Sequence, residues 1–234
     1  KTIIIGAGLA GLSVAFHLGK DYAIYEKESL PGGICRSKKI NGFTFDFGGH
    51  LLHTQKAYTE NLVKSLLSKN VISQSRNSWI YSFRKFTRYP FQIHTFGLPE
   101  SIQRECVFEF IKAKFKGQRK KAEQIDFNSW VYSNFGKGIA KNFLIPYNKK
   151  FWTVHPKELS CDWINGFIPI PKISDVVRGA LEDYSKVTGY NARFLYPAKG
   201  GINSLIEAFS RHVGEINLNM ELVKIHPEEK VIEF

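Results

Sequence analysis

The chain has 234 residues, 43% of them hydrophobic, and a formal net charge of +12 at pH 7. That is enough for one large domain or for a domain with an insertion, and no apolar run approaches the ~20 residues that span a bilayer. The first apolar run, Ile3-Ile4-Ile5, meets glycine at once, so no signal peptide is expected; Cys35, Cys106 and Cys161 are too far apart for a zinc site or a disulfide framework and point to a reducing, cytoplasmic setting.

Residues 1–5 read as a buried strand ended by Gly6. A helix is expected over residues 8–18, because Leu9, Leu12 and Phe16 share a face and Gly19 suits its end. A second strand covers residues 21–25. Residues 34–40 and 43–47 flank Asn41-Gly42, a pair that tolerates positive φ and so favours a tight hairpin. Leu62, Val63, Leu66 and Leu67 mark a helix ending near Asn70, and residues 79–83 and 86–89 read as a second hairpin. Ile102, Cys106 and Phe110 recur at every fourth position, which predicts a helix over 101–115. Lys112, Lys114, Lys116, Arg119, Lys120 and Lys121 form the densest basic run, and their spacing makes it a solvated face. Residues 125–143 read as a helix broken near Gly136 and Gly138. Residues 145–171, rich in aromatics and prolines, read as irregular pocket wall. A helix over 203–213 is followed by strands at 216–225 and 231–234 around a turn at Pro227. The chain opens on Lys1 and stops at Phe234 within a strand, so the expectation is a fragment.

Gly6, Gly8 and Gly11 form GxGxxG between the first strand and the first helix. The first glycine permits the turn, the second lets a pyrophosphate approach the backbone, and the third lets helix and strand pack closely. The helix N-terminus, with Leu9 and Ala10, supplies N–H groups and partial positive charge for phosphates. Glu26, at the end of the second strand, lies 20 residues after Gly6, where a carboxylate accepts bonds from ribose hydroxyls; Lys27 stands beside it. An acid at that place argues against a ribose 2′-phosphate.

Pro31-Gly32-Gly33 followed by Cys35-Arg36-Ser37 resembles the flavoprotein superfamily of amine oxidases, protoporphyrinogen oxidases and UDP-galactopyranose mutases. The resemblance implies FAD as cofactor, with Gly32 and Gly33 running along it and Arg36 and Ser37 meeting its phosphates. Met220-Glu221-Leu222-Val223-Lys224-Ile225 is similar to the strand that brings a backbone amide and an apolar side chain, here Val223, to the adenine. Phe45-Asp46-Phe47-Gly48-Gly49-His50 resembles a mobile loop that lies against the flavin in the eukaryotic-type mutases, which implies His50, with Gly48 and Gly49, as the catalytic position. Tyr89-Pro90-Phe91-Gln92 resembles a uracil-holding segment, and Pro146-Tyr147-Asn148-Lys149-Lys150-Phe151-Trp152 a Pro-Tyr-Asn-x-Lys-x-Trp signature. The substrate-binding residues it implies are Tyr89, Phe91, Gln92, Tyr147, Asn148, Trp152, Tyr190, Arg193 and Lys199. The chain departs from the mutases where Ile145 replaces a diphosphate-binding arginine, Ile93-His94 replaces Asn-Asn, and Lys199 replaces an arginine. It also contains no Gly-Asp pair of the kind that closes the flavin pocket in this group, so a protein that ended at Phe234 is expected to retain FAD weakly and to show little activity.

The expected fold is α/β: a Rossmann-like FAD-binding domain over residues 1–75 and 190–234, with a mostly helical inserted substrate domain over residues 76–189. The expected function is a FAD-dependent oxidoreductase acting on an anionic sugar-nucleotide-like or amphipathic small molecule. Two alternatives stand beside it. One is a redox-neutral UDP-galactopyranose mutase that uses reduced flavin N5 as nucleophile on a UDP-sugar. The other is a basic nucleotide-binding module without activity. No metal, nucleic acid or transmembrane segment is expected.

Overall fold

The computed structural model describes residues 2–116, 125–164, 167–183 and 192–234. The chain divides into two compact units, one built from Lys1–Gln74 with Arg193–Phe234 and the other from Ser75–Ala192.

In the first unit, β1 (Thr2–Ile5), α1 (Leu9–Leu18) and β2 (Tyr22–Tyr25) follow one another, and β1 pairs in parallel with β2, Ile4 opposite Ile24. A short strand, β9 (Ile216–Asn217), joins the far edge of β2, also in parallel, to give the order β1-β2-β9. Two parallel strands need a crossover, and α1 supplies it by burying Leu12 and Ala15. Ile4, Ala7, Leu12, Ala15 and Ile24 share a core with Ile202, Leu205, Ile206 and Phe209, the last three from α7 (Asn203–Ser210). β3 (Ser37–Ile40) and β4 (Phe43–Asp46) form a hairpin in which Ser37 faces Asp46, and Asn41 and Gly42 take φ of 50° and 83° in its turn. α2 (Ala57–Leu67) contributes Leu66 and Leu67 to the same core. β5 (Val71–Ser75) pairs with β8 (Arg193–Pro197), and β10 (Lys224–His226) with β11 (Val231–Glu233).

The strand expected over residues 216–225 is interrupted. Asn219 adopts φ 57° and the chain turns aside, where Asn219 N–H donates to Glu28 O at 3.2 Å and Met220 N–H to Glu26 O at 2.9 Å. Alternation in the sequence does not register such a turn.

The second unit opens with a hairpin, β6 (Trp79–Ser82) and β7 (Lys85–Arg88), and is otherwise helical. α3 (Glu100–Phe115) packs on α4 (Phe127–Ile139), which is followed by a π-helical turn, Ala140–Leu144, then α5 (Ile145–Trp152), a 3-10 turn, Pro156–Glu158, and α6 (Ile173–Leu181). Asp126 caps α4 by accepting the Ser129 N–H at 2.9 Å. Gly136 breaks the helix with φ 74°, at one of the two expected places. Residues 145–152 are helical rather than irregular. Pro146 sits in the first turn of α5, directly after the π-helical turn in which Ile145 N–H donates to Ala140 O. The core of this unit gathers Phe91, Phe110, Phe127, Val131, Phe135 and Ile139.

All four tryptophans, Trp79, Trp130, Trp152 and Trp163, lie in the second unit, so their fluorescence reports its unfolding. Phe135 is wholly buried with its ring edge-on to Trp130 at 5.6 Å. Phe135→Ala is expected to destabilise this unit by ~3–5 kcal/mol, and Phe135→Leu by less, in denaturant titrations followed by tryptophan emission. An unchanged midpoint for the alanine variant would contradict the core described here.

Candidate functional site

The turn between β1 and α1 is held from three sides. Gly6 N–H donates to Tyr25 O at 2.7 Å, Gly32 N–H donates to Ala7 O at 2.8 Å, and Gly8 pairs with Gly32 as an isolated parallel bridge. The third hold is the Glu26 carboxylate: Oε2 accepts the Ala7 N–H at 2.6 Å and Oε1 accepts the Glu28 N–H at 3.0 Å. Glu26 is only 6% exposed, so these bonds lie out of water. The structure thus gives Glu26 a structural task besides the ribose contact read from the sequence. Two carboxylate oxygens offer about four acceptor sites, so lone pairs remain for ribose hydroxyls. Lys27 beside it is exposed.

Gly8 is the N-cap of α1, with extended backbone, no side-chain cap and no acid in the first turn. The leading N–H groups of Leu9, Ala10 and Gly11 have no intrahelical partner and lie at the positive end of the helix. Gly11 must be glycine because a Cβ there would strike the Gly6 carbonyl oxygen and lie 3.2 Å from Ile4 Cγ2. Around Gly8 the space is open, with nothing within 4 Å of an added Cβ. The result is a backbone cradle with donors, positive potential and room, which fits the diphosphate of a dinucleotide.

Arg36 and Ser37 sit at the start of the first hairpin. Arg36 Nε donates to Gly33 O at 2.8 Å, and the guanidinium lies 5.7 Å from the Phe47 ring centroid. Ser37 Oγ donates to Asp46 Oδ1 at 2.6 Å and accepts the Asn203 N–H at 3.1 Å, so its hydroxyl is engaged within the protein rather than offered to a phosphate. Gly48 and Gly49 are exposed. His50 is half-buried, with Nδ1 4.0 Å from Cys35 Sγ, while its buried Nε2 makes no hydrogen bond among the described residues. Burial, and then the charge of Asp46, push the Cys35 thiol up.

Asp46 was missed by reasoning from sequence, although it lies inside a motif quoted for its glycines. Burial alone would raise its pKa, but hydrogen bonds from Ser37 Oγ, the Tyr196 phenol and Ile202 N–H outweigh that and hold the carboxyl below the usual range. Burial, and then the bond to Asp46, push Tyr196 up to about 12.

Val223 is 67% exposed, and its N–H donates to Glu233 O at 2.9 Å. The amide assigned to adenine is therefore engaged by the β10–β11 hairpin, which leaves the side chain alone for a base. Arg193 borders a cleft of about 360 Å³ with Leu52, His53, Thr54 and Ser73. Lys199 is exposed, and its backbone is bracketed by Asn70, which donates to Lys199 O at 3.0 Å and accepts Lys199 N–H at 2.9 Å.

In the second unit Phe91 is wholly buried and stacked on Phe143, centroids 4.7 Å apart at 11°. The face assigned to a base is taken by the core, because a short run of mixed residues gives no sign of which side chain turns inward. Gln92 is buried, and Tyr89 carries the Arg76 guanidinium 4.2 Å above its ring. Asn148 is buried and donates from Nδ2 to Leu144 O at 2.8 Å, so its amide serves the helix. Tyr147 is 48% exposed and stacked on Phe143 at 5.1 Å, and Trp152 is 41% exposed and edge-on to Phe151. Tyr147 and Trp152 thus reach the surface at the outer end of an aromatic stack. Tyr190 lies outside the described residues. Among the described residues no helix is long and apolar enough to cross a membrane.

Residues 4–68 match the family model of the NAD(P)-binding Rossmann-like domain. The structure is similar to that of reduced UDP-galactopyranose mutase, with a TM-score of 0.88 and 29% identity, covering 99% of this chain and 51% of that one. Coproporphyrinogen III oxidase of Staphylococcus aureus is 23% identical over 90% of this chain and 50% of its own length. Putrescine oxidase bound to putrescine shares the fold alone, at 16% identity and a TM-score of 0.54 over 95% of this chain and 51% of that one. The chain has the fold of the amine oxidase and protoporphyrinogen oxidase-like superfamily, built on a Rossmann-like nucleotide-binding domain. FAD is the cofactor expected with these neighbours. The chain spans about half the length of each of these three proteins.

The Asp46–Tyr196 pair has a signature at both ends of the pH scale. Asp46, whose folded pKa is lowered, contributes stability that is present above the unfolded carboxylate value and lost as pH falls through the folded one. Tyr196, raised to about 12, contributes stability that is complete below the unfolded phenol value of roughly 10 and lost as pH rises toward 12. Circular-dichroism denaturation across pH should show Asp46→Asn flattening the acid limb and Tyr196→Phe the alkaline limb. Limbs identical to wild type in both variants would contradict the assignment.

Proposed function

We propose that this chain is the FAD-binding part of a flavin-dependent oxidoreductase that works in the cytoplasm, with a substrate-binding region inserted over residues 76–189. The observation that carries this reading is the uncapped N-terminus of α1, open beside Gly8 and flanked by the Glu26 carboxylate at the end of β2. FAD, when bound, supplies hydride acceptance, a reaction that no protein side chain performs. The protein's part is to bind and orient. Leu9, Ala10 and Gly11 N–H groups grip the diphosphate, the unused lone pairs of Glu26 take ribose hydroxyls, and Gly33 and Arg36 flank the cofactor. His50 Nε2, buried and unpartnered among the described residues, offers one hydrogen bond on the glycine loop. Tyr147 and Trp152 offer aromatic surface to the substrate, and Arg193 and Lys199 offer positive charge. A net charge of +12 and these groups together favour a small anionic or amphipathic substrate.

A second reading, a redox-neutral mutase acting on a UDP-sugar, draws support from the likeness to UDP-galactopyranose mutase over 99% of the chain at a TM-score of 0.88. Ile145 weighs against it, since an alkyl group neither donates to a diphosphate nor neutralises one. Phe91, closed into the core, withdraws the expected platform for uracil.

Flavin absorbance of the purified full chain supplied with FAD checks the first reading. Gly8→Asp places a carboxylate at the helix N-terminus in open space, so it should leave folding intact and weaken FAD binding ~10-fold or more by repulsion of the diphosphate. Equal FAD binding by this variant would remove the cradle from the account. UDP added to the same protein separates the second reading: a raised melting temperature with protected tryptophan emission supports a mutase, and no effect removes it.

A further inference from the structure

After β4 the chain forms an arch, residues 47–51, whose two feet stand on neighbouring residues of β8. At the first foot the Tyr196 phenol donates to Asp46 Oδ2. At the second, Leu52 N–H donates to Leu195 O at 3.2 Å and Leu195 N–H donates to Leu52 O at 2.7 Å. The first foot is the more elaborate. Asp46 Oδ1 also accepts Ser37 Oγ at 2.6 Å and Ile202 N–H at 3.1 Å, so one carboxylate ties β3, β8 and the approach to α7 together. Gly201 makes the approach possible: at φ 68° it lies so close that an added Cβ would stand 2.6 Å from Asp46 Oδ1 and 2.9 Å from Thr44 Cγ2. The demand here is for glycine at Gly201, where the chain meets the hairpin.

Between the feet, Phe47, Gly48 and Gly49 are exposed and His50 is half-buried. The imidazole faces Cys35 through Nδ1 at 4.0 Å, and Nε2 is buried without a hydrogen bond among the described residues. Phe47 N–H donates to Arg36 O at 3.2 Å; beyond it a short stretch with two glycines has little stiffness of its own, so the position of its histidine is set by where the arch is fixed. We infer that Asp46 and Tyr196 are positioning residues for His50: the phenol–carboxylate bond fixes the foot of the arch and thereby the place of the imidazole over Cys35. The consequence for catalysis rests on the reading of the glycine cradle as a FAD site; the placement of His50 does not.

Cys35 supplies the probe. Cys106 and Cys161 are buried, whereas Cys35 is half-buried beside His50, so its modification by a small thiol reagent in the native protein, located by peptide mass mapping, reports opening of the arch. Tyr196→Phe keeps the Asp46 charge and removes only the phenol hydroxyl, so a faster reaction reflects movement rather than a changed electrostatic field. The expected result is Cys35 labelling about fivefold faster, the factor that loss of one hydrogen bond of ordinary strength gives, at a temperature where circular dichroism shows the variant fully folded. In protein loaded with FAD, Tyr196→Phe and His50→Ala should perturb the visible flavin band in the same direction. Ser37→Ala removes another donor to the same carboxylate and serves if Tyr196→Phe does not fold. Labelling at the wild-type rate in a folded Tyr196→Phe or Ser37→Ala variant would overturn the inference. Wild-type protein that fails to bind FAD while the variants still expose Cys35 would sink the FAD reading and leave the positioning of His50 standing.

Discussion

The Ala7 N–H donated to the buried Glu26 carboxylate is the contact on which the proposed cofactor site depends. It ties the turn after β1 to the end of β2, beside the parallel ladder and the bond from Gly6 N–H to Tyr25 O. A charge-assisted bond at 2.6 Å from a carboxylate that is only 6% exposed is strong and directional. It aims the N-terminus of α1 to the same side as the carboxylate that holds it. The proposed diphosphate cradle and the proposed ribose acceptor are therefore one piece of structure. Gly32, bonded to Ala7 O, locks the opposite side of the turn, and brings the second glycine pair alongside Gly8.

The second unit solves a different problem. Its residues build an apolar core from stacked rings, with Phe91 on Phe143 and Phe143 on Tyr147, and the stack runs outward along the π-helical turn and α5. Phe143, Tyr147 and Phe151 are four residues apart, so they share one side of the helical run. Stacking of this kind carries rigidity from the core to exposed Tyr147, which is what an aromatic binding surface needs if it is to lose little conformational freedom on meeting a ligand.

Legibility in the sequence followed the physics of each signal. The order of the β1–α1–β2 unit was plain because three glycines at fixed spacing, an apolar strand and an acid at the next strand's end are each required by the same local geometry, although β1 is not the buried strand expected: Ile4 is buried while Ile3 and Ile5 are exposed. The Asn41-Gly42 turn and the break at Gly136 were plain for the same reason: backbone conformation is written in residue type. What escaped was long-range pairing. Nothing near Asp46 in the sequence announces that its partners are Ser37, Tyr196 and Ile202, the last two some 150 positions away. Nor does the sequence around Phe91 reveal a Phe143 to cover it. Pro146 misled because proline breaks a helix interior but suits a first turn, and the pattern alone does not say where the helix begins.

Backbone donors at the start of α1 are proposed to take the cofactor's diphosphate. Amide NMR of the full chain during titration with FAD tests it at the atoms concerned. The N–H resonances of Leu9, Ala10 and Gly11 are expected to shift together and saturate with cofactor, while that of Ala7, already held by Glu26, moves least within the turn. FAD that binds without moving those three amides, or that leaves the spectrum unchanged at saturating concentration, would contradict it.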